Sequence, residues 1–321
     1  MTQWKRNLVV LGIAQLITLL GFSAYFSFVP YYIQDLGATT EAATISWVAA
    51  FNSGSAIAMA IFSPIWGSLA DRYGRKMMVL RATIAGAILV GLMSFVQNPA
   101  QLTVLRILQG IFCGTVSASI TLVASGTPED NMATALGFMQ TAQFAGQSLG
   151  PLVGGVLADV LGFRPVFLVS SVIMAAAALS IALWVQERNR PIASKKPVKL
   201  NPFRGGAWRE MAQGKTTVLI VALASNSFAL ATLAPVLSLY IASINPDTAH
   251  LNTVAGAVSS VSALSSAIAA MFIGRLADRT GQKRILVACI VGIALIHAPQ
   301  SMVTTSTQLL VLRAIQGIFM G

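Results

Sequence analysis

Two arginines lie inside long apolar segments of the sequence, where a cation is costly unless it meets water or a polar partner. Arg106 and Arg313 each begin the pattern Arg-x-x-Gln-Gly-Ile-Phe, so that Gln109 and Gly110 follow the first of them. An ionisable side chain at such a depth is typical of a pathway for protons or solutes. Asp35 is an acid near the end of the first apolar segment.

The sequence shows no pattern that is typical of catalysis or of metal binding. It contains no nucleophile triad, no cluster of metal ligands and no phosphate-binding loop. The two cysteines, Cys113 and Cys289, lie inside apolar segments and fit the role of small core residues. We therefore expect a protein that is not an enzyme and that uses no metal or cofactor.

The composition of the chain excludes most soluble classes of protein. Of its 321 residues, 55% are hydrophobic and only 10% are charged, whereas a soluble domain carries about 25% charged residues. Disorder, a collagen-like rod and a disulfide-stapled domain are excluded, because aliphatic residues dominate and cysteine is rare. We expect an all-α polytopic membrane protein in the lipid bilayer, since the apolar runs are too long for the strands of a barrel.

Nine segments are long and apolar enough to cross a bilayer, for which about 20 residues are needed. A tenth begins near residue 306, and we expect the sequence to stop within it at Gly321. The predicted spans are 8–33, 43–70, 77–96, 100–124, 133–161, 165–185, 216–244, 252–277 and 285–304.

The basic residues are distributed according to the predicted topology. The net charge of +11 would suggest a nucleic-acid partner in a soluble protein. However, 18 of the 21 Lys and Arg residues lie at the N-terminus and in the loops after spans 2, 6 and 8, on one side of the membrane. By the positive-inside rule this side is cytoplasmic. We therefore expect no nucleic-acid partner, and a multi-pass protein of the cytoplasmic membrane with a cytoplasmic N-terminus.

The sequence contains an internal repeat. The run GSLADRYGRK at residues 67–76 recurs as GRLADRTGQK at residues 274–283, and the pattern that begins at Arg106 recurs at Arg313. Both pairs are separated by 207 residues. Two unrelated motifs with one offset indicate a duplicated unit of six spans.

The chain resembles the major facilitator superfamily, because residues 67–76 match the signature that this family carries between its second and third spans. The resemblance implies the major facilitator fold, with two six-helix halves and a substrate site between them near the membrane midplane. We expect an N-terminal half at 1–185, a basic cytoplasmic linker at 186–215 and a C-terminal half at 216–321. We also expect the second half to be truncated within span 10 and the protein to be a monomer.

In this family the signature between spans 2 and 3 acts as a conformational latch, because its acidic residue faces the N-terminal end of a helix in the opposite half. The resemblance implies that Asp278 meets the start of span 5 around residues 132–135, and that Asp71 would meet span 11. Gly67 and Gly74 are expected to permit close helix approach and a tight turn. A solvated topology anchor without switching is the alternative. The predicted latch residues are Gly67, Asp71, Arg72, Gly74, Arg75, Lys76, Gly274, Asp278, Arg279, Gly281 and Lys283.

Span 5 resembles the signature of the antiporters of this family. Small residues recur every four positions along it and form a groove without side chains on one face of the helix. We expect this groove to pack against small residues of span 8 and to form a seam between the halves; ordinary small-residue packing is the alternative. The signature residues are Gly137, Gly146, Gly150, Pro151, Gly154 and Gly155.

Polar and aromatic residues inside the spans are candidates for substrate binding. The resemblance also implies that Arg106 faces the central cavity. Proton coupling would then use Arg106 with Gln109 and Gly110, or Asp35, or the spans expected beyond span 10. Together the candidates predict amide and aromatic groups in an apolar lining, which suits lipophilic and often cationic substrates. They are Gln15, Tyr25, Phe26, Asn52, Gln140, Gln143, Gln147, Asn226, Phe228 and Tyr240.

The hypothesis that follows is proton-coupled efflux of small lipophilic or drug-like molecules by alternating access of the two halves. The partners would be the substrate and protons, with the proton gradient as the energy source. Two alternatives stay open. One is export of a sugar, an amino-acid derivative or another metabolite on the same fold, and the other is a truncated fragment that does not transport.

Overall fold

The computed structural model describes residues 2–112, 114–187, 237–244, 250–280 and 282–320, together with the isolated residues 217 and 225. Within these ranges, the side chains at 71, 271, 274, 275, 277–280, 282 and 283 are not described. The described part is α-helical, and no strand occurs in it. Seven segments of it are long and apolar enough to cross a membrane.

Eight helices lie in the described residues of the N-terminal half, and a short 3₁₀ turn at Glu129–Asn131 precedes the seventh. They are α1 Gln3–Ala24, α2 Val29–Asp35, α3 Glu41–Tyr73, α4 Arg75–Met93, α5 Pro99–Phe112, α6 Thr115–Gly126, α7 Met132–Leu161 and α8 Phe163–Trp184.

In the C-terminal half, residues 237–244 are helical. Three longer helices follow: α9 Leu251–Thr280, α10 Gln282–Gln300 and α11 Ser306–Met320. These match predicted spans 8, 9 and 10, whereas most of predicted span 7 and most of the predicted linker lie outside the described residues.

Two predicted spans are broken where a continuous helix was expected. Span 1 divides into α1 and α2 because Pro30 lies in the first turn of α2, where it has no N–H to bond to the preceding turn. Span 4 divides into α5 and α6 at Gly114, whose φ of 133° lies in the region that favours glycine. The break in span 1 lies next to the interface between the halves, because the carbonyl of Ser27 accepts a hydrogen bond from the hydroxyl of Ser238.

The repeat seen in the sequence is also present in the packing. A Cβ on Gly110 of α5 would touch the backbone of Ser55 in α3, within 2.9 Å of its Cα. Gly317 of α11 meets the backbone of Ser262 in α9 in the same way, 3.1 Å from its carbonyl carbon. Each of these residues is 207 positions from its counterpart. The two halves therefore repeat a close helix contact, and not only a sequence motif.

We predict that Gly110→Val destabilises the protein, because the added side chain forces α5 away from the backbone of α3. Overpacking of this kind costs about 1–3 kcal/mol. Gly137→Val is the matched control, since nothing lies within 4 Å of a Cβ at that position. Thermal unfolding in detergent should show a lower midpoint for Gly110→Val than for Gly137→Val. Equal midpoints would contradict the close α3–α5 contact.

Candidate functional site

A cavity of about 570 Å³ lies between the two halves, and we call it the central cavity. Its volume is in the range of sites for small organic molecules. Aromatic and aliphatic side chains form most of its wall in the N-terminal half. Its lining includes Phe26, Val29, Pro30, Val48, Phe51, Asn52, Ser53, Arg106, Pro151, Leu237, Ser238, Ser259, Ser262, Arg313 and Met320.

Repeat-equivalent residues line the central cavity from both halves. Asn52 and Ser259 are 207 positions apart, as are Arg106 and Arg313, and all four are in the lining. Tyr31 and Ser238, also 207 positions apart, are joined by a short hydrogen bond from the tyrosine hydroxyl to the serine carbonyl. Because equivalent positions can meet only near the axis that relates the repeats, this contact places that axis next to the cavity.

Arg106 reaches from α5 towards the non-helical residues 25–28 that separate α1 from α2. Its Nη1 donates a hydrogen bond of 2.7 Å to the hydroxyl of Tyr25 and a shorter one to Oε1 of Gln109. The Tyr25 hydroxyl donates to the same Gln109 oxygen at 3.0 Å. The guanidinium also lies 5.1 Å from the ring centres of Phe26 and Phe51, which is within cation–π range. Within the described ranges, its Nε has no hydrogen-bond partner.

Arg313 of α11 is held differently from its repeat counterpart. It is only 7% exposed, and its Nε has no hydrogen-bond partner among the residues that the structure describes. The neighbouring Gln316 is fully buried and accepts a hydrogen bond of 2.9 Å from Gln300 in α10, but its own Nε2 has no partner. Two arginines therefore line one cavity, and both keep a donor free.

Asp159 joins the two halves at the end of the bundle where α7 ends and α9 begins, which we call the closed end. Its Oδ1 accepts hydrogen bonds from the backbone N–H and side-chain amide of Asn252, at 3.2 and 2.7 Å. Its Oδ2 accepts from the backbone N–H and hydroxyl of Thr253, at 2.7 and 2.6 Å. The carboxylate thus caps the first turn of α9, where the helix dipole favours a negative charge.

A second group of hydrogen bonds joins the halves near the closed end. Across the interface, the Ser238 hydroxyl donates to the carbonyl of Ser27 at 3.2 Å. Within the N-terminal half, the Ser27 hydroxyl donates to the carbonyl of Pro151 at 3.2 Å and so fixes this backbone against α7. The backbone N–H of Leu152 donates to the hydroxyl of Ser260 in α9 at 3.1 Å. The break between α1 and α2 exposes the Ser27 carbonyl that takes part here. The irregular backbone of span 1 is therefore used in the interface.

The glycines of α7 have two different neighbours, and the expected groove does not face α9. Gly146, Gly150 and Gly154 face α1; a Cβ on Gly150 would lie 2.8 Å from the carbonyl oxygen of Leu20. The helical spacing therefore identifies a close packing face correctly, but the prediction of its partner is wrong.

The seam with α9 is formed by the adjacent face of α7. A Cβ on Gly155 would lie 2.7 Å from the carbonyl carbon of Asn252, and one on Gly256 of α9 would lie 2.8 Å from that of Pro151. Gly137 has open space around it. Span 5 thus packs closely against span 8, but not through the expected groove. The contact is made by Gly155 and Pro151 of α7 and by Gly256 of α9.

The loop between α3 and α4 differs in part from expectation. Gly74 has a φ of 97°, as a tight turn requires, but Gly67 has nothing within 4 Å of its Cβ position, so the close helix approach expected there is wrong for this conformation. The guanidinium of Arg72 lies 5.5 Å from the ring centre of Tyr73. The Arg75 guanidinium donates to the carbonyl of Thr121 at 3.3 Å.

Several predicted latch residues cannot be placed. Gly281, the surroundings of Gly274 and the side chains of Asp71, Asp278, Arg279 and Lys283 lie outside the described residues.

Glu187 occupies a position at this loop that the sequence did not reveal. Its carboxylate accepts hydrogen bonds from the backbone N–H groups of Arg75 and Lys76, at 2.9 and 3.1 Å, and so caps α4. The Lys76 ammonium donates to the carbonyl of Ala182 at 2.8 Å. Nothing in the local sequence pairs an acid after span 6 with a helix that begins more than 100 residues earlier. Asp159 was visible only as an acid near the end of span 5.

The predicted substrate-binding residues divide into three groups. Phe26 and Asn52 line the central cavity, whereas Tyr25 is fully buried behind it and accepts a hydrogen bond from Arg106. Tyr240 donates to the carbonyl of Val303 at 2.8 Å and so holds the α10–α11 turn. Gln15, which is buried in α1, and the α7 residues Gln140, Gln143 and Gln147 are not among the described residues that line the cavity. Asn226 and Phe228 lie outside the described residues.

Asp35 does not reach the cavity. It is exposed at the end of α2 and is absent from the described lining. Gln109 and Gly110, in contrast, lie in the buried α5 surface beside Arg106.

Comparisons with known proteins agree with this architecture. The chain is 35% identical over 318 residues to the multidrug resistance protein MdtG of Enterobacter lignolyticus, which covers 98% of this chain and 74% of that protein. It is 34% identical over 316 residues to MdtG of Citrobacter koseri, covering 98% and 77%.

Solved structures with the same fold have little sequence identity to the chain. A bacterial homologue of the human lysosomal transporter Spinster, in an inward-facing and occupied conformation, aligns with a TM-score of 0.80 at 14% identity, over 100% of this chain and 72% of that one. The nucleoside transporter NupG aligns with a TM-score of 0.76 at 14% identity, over 98% and 79%.

The family model described as Major Facilitator Superfamily matches residues 11–251 and 219–321. The expected major facilitator fold is thereby confirmed, and with it an integral membrane location and a role other than that of an enzyme. The chain belongs to the Major Facilitator Superfamily of membrane transporters.

Proposed function

We propose that the chain exports small lipophilic or drug-like molecules across the cytoplasmic membrane by alternating access. The observation that supports this best is a central cavity between two repeat-related halves, joined at one end by a compact set of hydrogen bonds. The cavity has the size of a site for a drug-like molecule. The similarity to proteins named for multidrug resistance agrees with this substrate class.

The direction of the cavity follows from the distribution of charge. The loops after spans 2, 6 and 8 and the N-terminus contain 18 of the 21 basic residues, whereas Arg164 lies at the closed end. The positive-inside rule then places the closed end outside the cell. We infer that this conformation is closed to the outside and that the N-terminus is cytoplasmic.

Release to the outside would require the closed end to open. Opening would separate α7 from α9, and with them the carboxylate of Asp159 from Asn252 and Thr253. It would also break the Tyr31–Ser238 contact near the repeat axis. Because these bonds exist only while the outer end is closed, they stabilise this conformation over one open to the outside.

We assign the proton-coupling role to Arg106 and the two residues hydrogen-bonded to it, Tyr25 and Gln109. The hydrogen bond between Arg106 and Tyr25 joins α5 to the end of α1. It lies next to the interruption between α1 and α2 that leaves the Ser27 carbonyl free to accept from Ser238. A change in the hydrogen bonding of this group on proton or substrate entry would act on the irregular backbone of span 1. Asp35, the other candidate, is exposed away from the cavity and is less well placed.

Transport should depend on the proton gradient. In inverted membrane vesicles that contain the chain, a transported dye or antibiotic should accumulate on energisation and should release protons from the acidified lumen. A protonophore should stop this accumulation. Vesicles prepared without the chain are the control, and accumulation that persists after the gradient collapses would contradict proton coupling.

Asp159→Asn should open the outer end more often, because an amide cannot accept both sets of hydrogen bonds from Asn252 and Thr253. Hydrogen bonds to a charged group contribute about 1.5–3 kcal/mol each, so we expect the open population to rise by about tenfold or more. The measurement is the rate at which a membrane-impermeant maleimide labels an Ala255→Cys variant, since Ala255 is buried in the seam.

The labelling experiment uses a background in which Cys113 and Cys289 are replaced. Asp35→Asn is the matched control, since it removes an exposed acid near the same end of the bundle. Labelling of Asp159→Asn at the same rate as the parent and the control would show that Asp159 does not hold the outer end closed.

A further inference from the structure

We propose that the central cavity selects organic molecules with a negative charge, through Arg106 and Arg313 acting together. This inference rests on the proposed transport function and narrows its substrate class. It replaces the expectation of cationic substrates that the aromatic residues of the sequence suggested.

Arg313 provides the first argument. It lines the cavity, is only 7% exposed, and its Nε lacks a hydrogen-bond partner. A buried guanidinium without a counter-ion is costly, because burial removes its hydration and nothing in the described structure replaces it. Arg313 lines the cavity, so an oxyanion there would supply the missing counter-charge, and guanidinium groups bind carboxylate, sulfonate and phosphonate groups in a two-point geometry.

Arg106 provides the second argument, since it adds a like charge to the same cavity. Its contacts with Tyr25 and Gln109 are with neutral groups, so no partner among the described residues compensates its charge. Its Nε is also free. Two guanidinium groups around one cavity, neither with an acidic partner in the described part of the chain, attract an anion and repel a cation. The low dielectric of the surrounding protein strengthens both effects.

The distribution of acidic residues leaves no carboxylate for a cationic substrate. The predicted spans 1 to 10 contain no Asp or Glu except Asp159. Asp159 lies near the end of α7, and its carboxylate already accepts hydrogen bonds from Asn252 and Thr253. No carboxylate is therefore available within the spans to balance the two arginines or to bind a cation.

The aromatic residues do not offer a free site for a cation either. The rings of Tyr25, Phe26 and Phe51 all lie within 5.7 Å of the Arg106 guanidinium. Their negative faces are thus already used by a cation that belongs to the protein. The remaining wall, with Val29, Val48 and Leu237, is apolar. The combination fits an amphipathic organic anion with its charged group between the arginines and its apolar part on this wall.

The test compares two dyes that share a xanthene ring system and differ in charge: fluorescein, an anion, and rhodamine 123, a cation. Binding to the full 321-residue chain in phosphatidylcholine nanodiscs is measured by fluorescence anisotropy. We expect fluorescein to bind at least tenfold more tightly, as one charge-assisted hydrogen bond would give. Equal binding, or tighter binding of rhodamine 123, would overturn the proposal without the need for any variant.

Variants then locate the effect. Arg313→Gln should weaken fluorescein binding about tenfold and leave rhodamine 123 unchanged or tighter, while Arg313→Lys should retain part of the anion preference. Arg284→Gln is the matched control, because it removes an exposed positive charge at the start of α10. If Arg284→Gln reduces fluorescein binding as much as Arg313→Gln does, the preference arises from net charge and the proposed site is wrong.

Two further measurements distinguish a soluble anion from a lipid headgroup, and binding from transport. Phosphatidylglycerol in the nanodisc offers an anionic headgroup, and displacement of fluorescein by it would overturn the assignment to a soluble substrate. Flux of both dyes is measured in vesicles. Selective binding of fluorescein without flux would contradict the proposed transport function alone, whereas flux of rhodamine 123 in preference to fluorescein would contradict the anion selectivity alone.

Discussion

Close approach of the backbone on two faces of α7 is the constraint on which the rest of the structure depends. On one face, Gly150 and Gly154 bring α7 against the backbone of α1. On the next face, Gly155 and Pro151 bring it against α9. Helices separated by so little side-chain volume pack rigidly and seal the space between them. The same helix therefore anchors the N-terminal half and forms the closing surface against the other half.

The hydrogen bonds of the interface are possible because of this packing. Only when α7 and α9 lie this close can Asp159 reach the first turn of α9, and Leu152 reach Ser260. The break after α1 places the Ser27 carbonyl within reach of Ser238. Proline and glycine thus do more than interrupt helices here, since they expose the backbone groups that hold the halves together at one end.

Much of this arrangement could be predicted from particular residues. The 207-residue offset predicts that Gly110 and Gly317 occupy equivalent places, and the structure repeats their contact. The offset also predicts that Arg106 and Arg313 are equivalent, and both line one cavity. Identical residues at one spacing preserve local geometry, because each half buries the same contacts within itself.

The remainder depends on tertiary distances that no local pattern contains. A glycine every four residues defines a smooth face but does not name its neighbour, and so α1 was missed as the partner of Gly146. The capping roles of Glu187 and Asp159 require helices that are distant in sequence to meet. The aromatic residues near Arg106 suggested a cation site, whereas the structure shows them used by that arginine.

The central claim is that the two halves move about a shared cavity so that one end closes as the other opens. It is tested most directly by spin-label distances across the halves, measured at both ends by double electron–electron resonance. One pair is Asn98 with Thr304 at the closed end, and the other is Glu129 with Arg284 at the opposite end; all four positions are exposed. On addition of a transported substrate in the presence of a proton gradient, we predict that the first distance lengthens while the second shortens. Distances that both stay fixed, or that change in the same direction, would contradict alternating access.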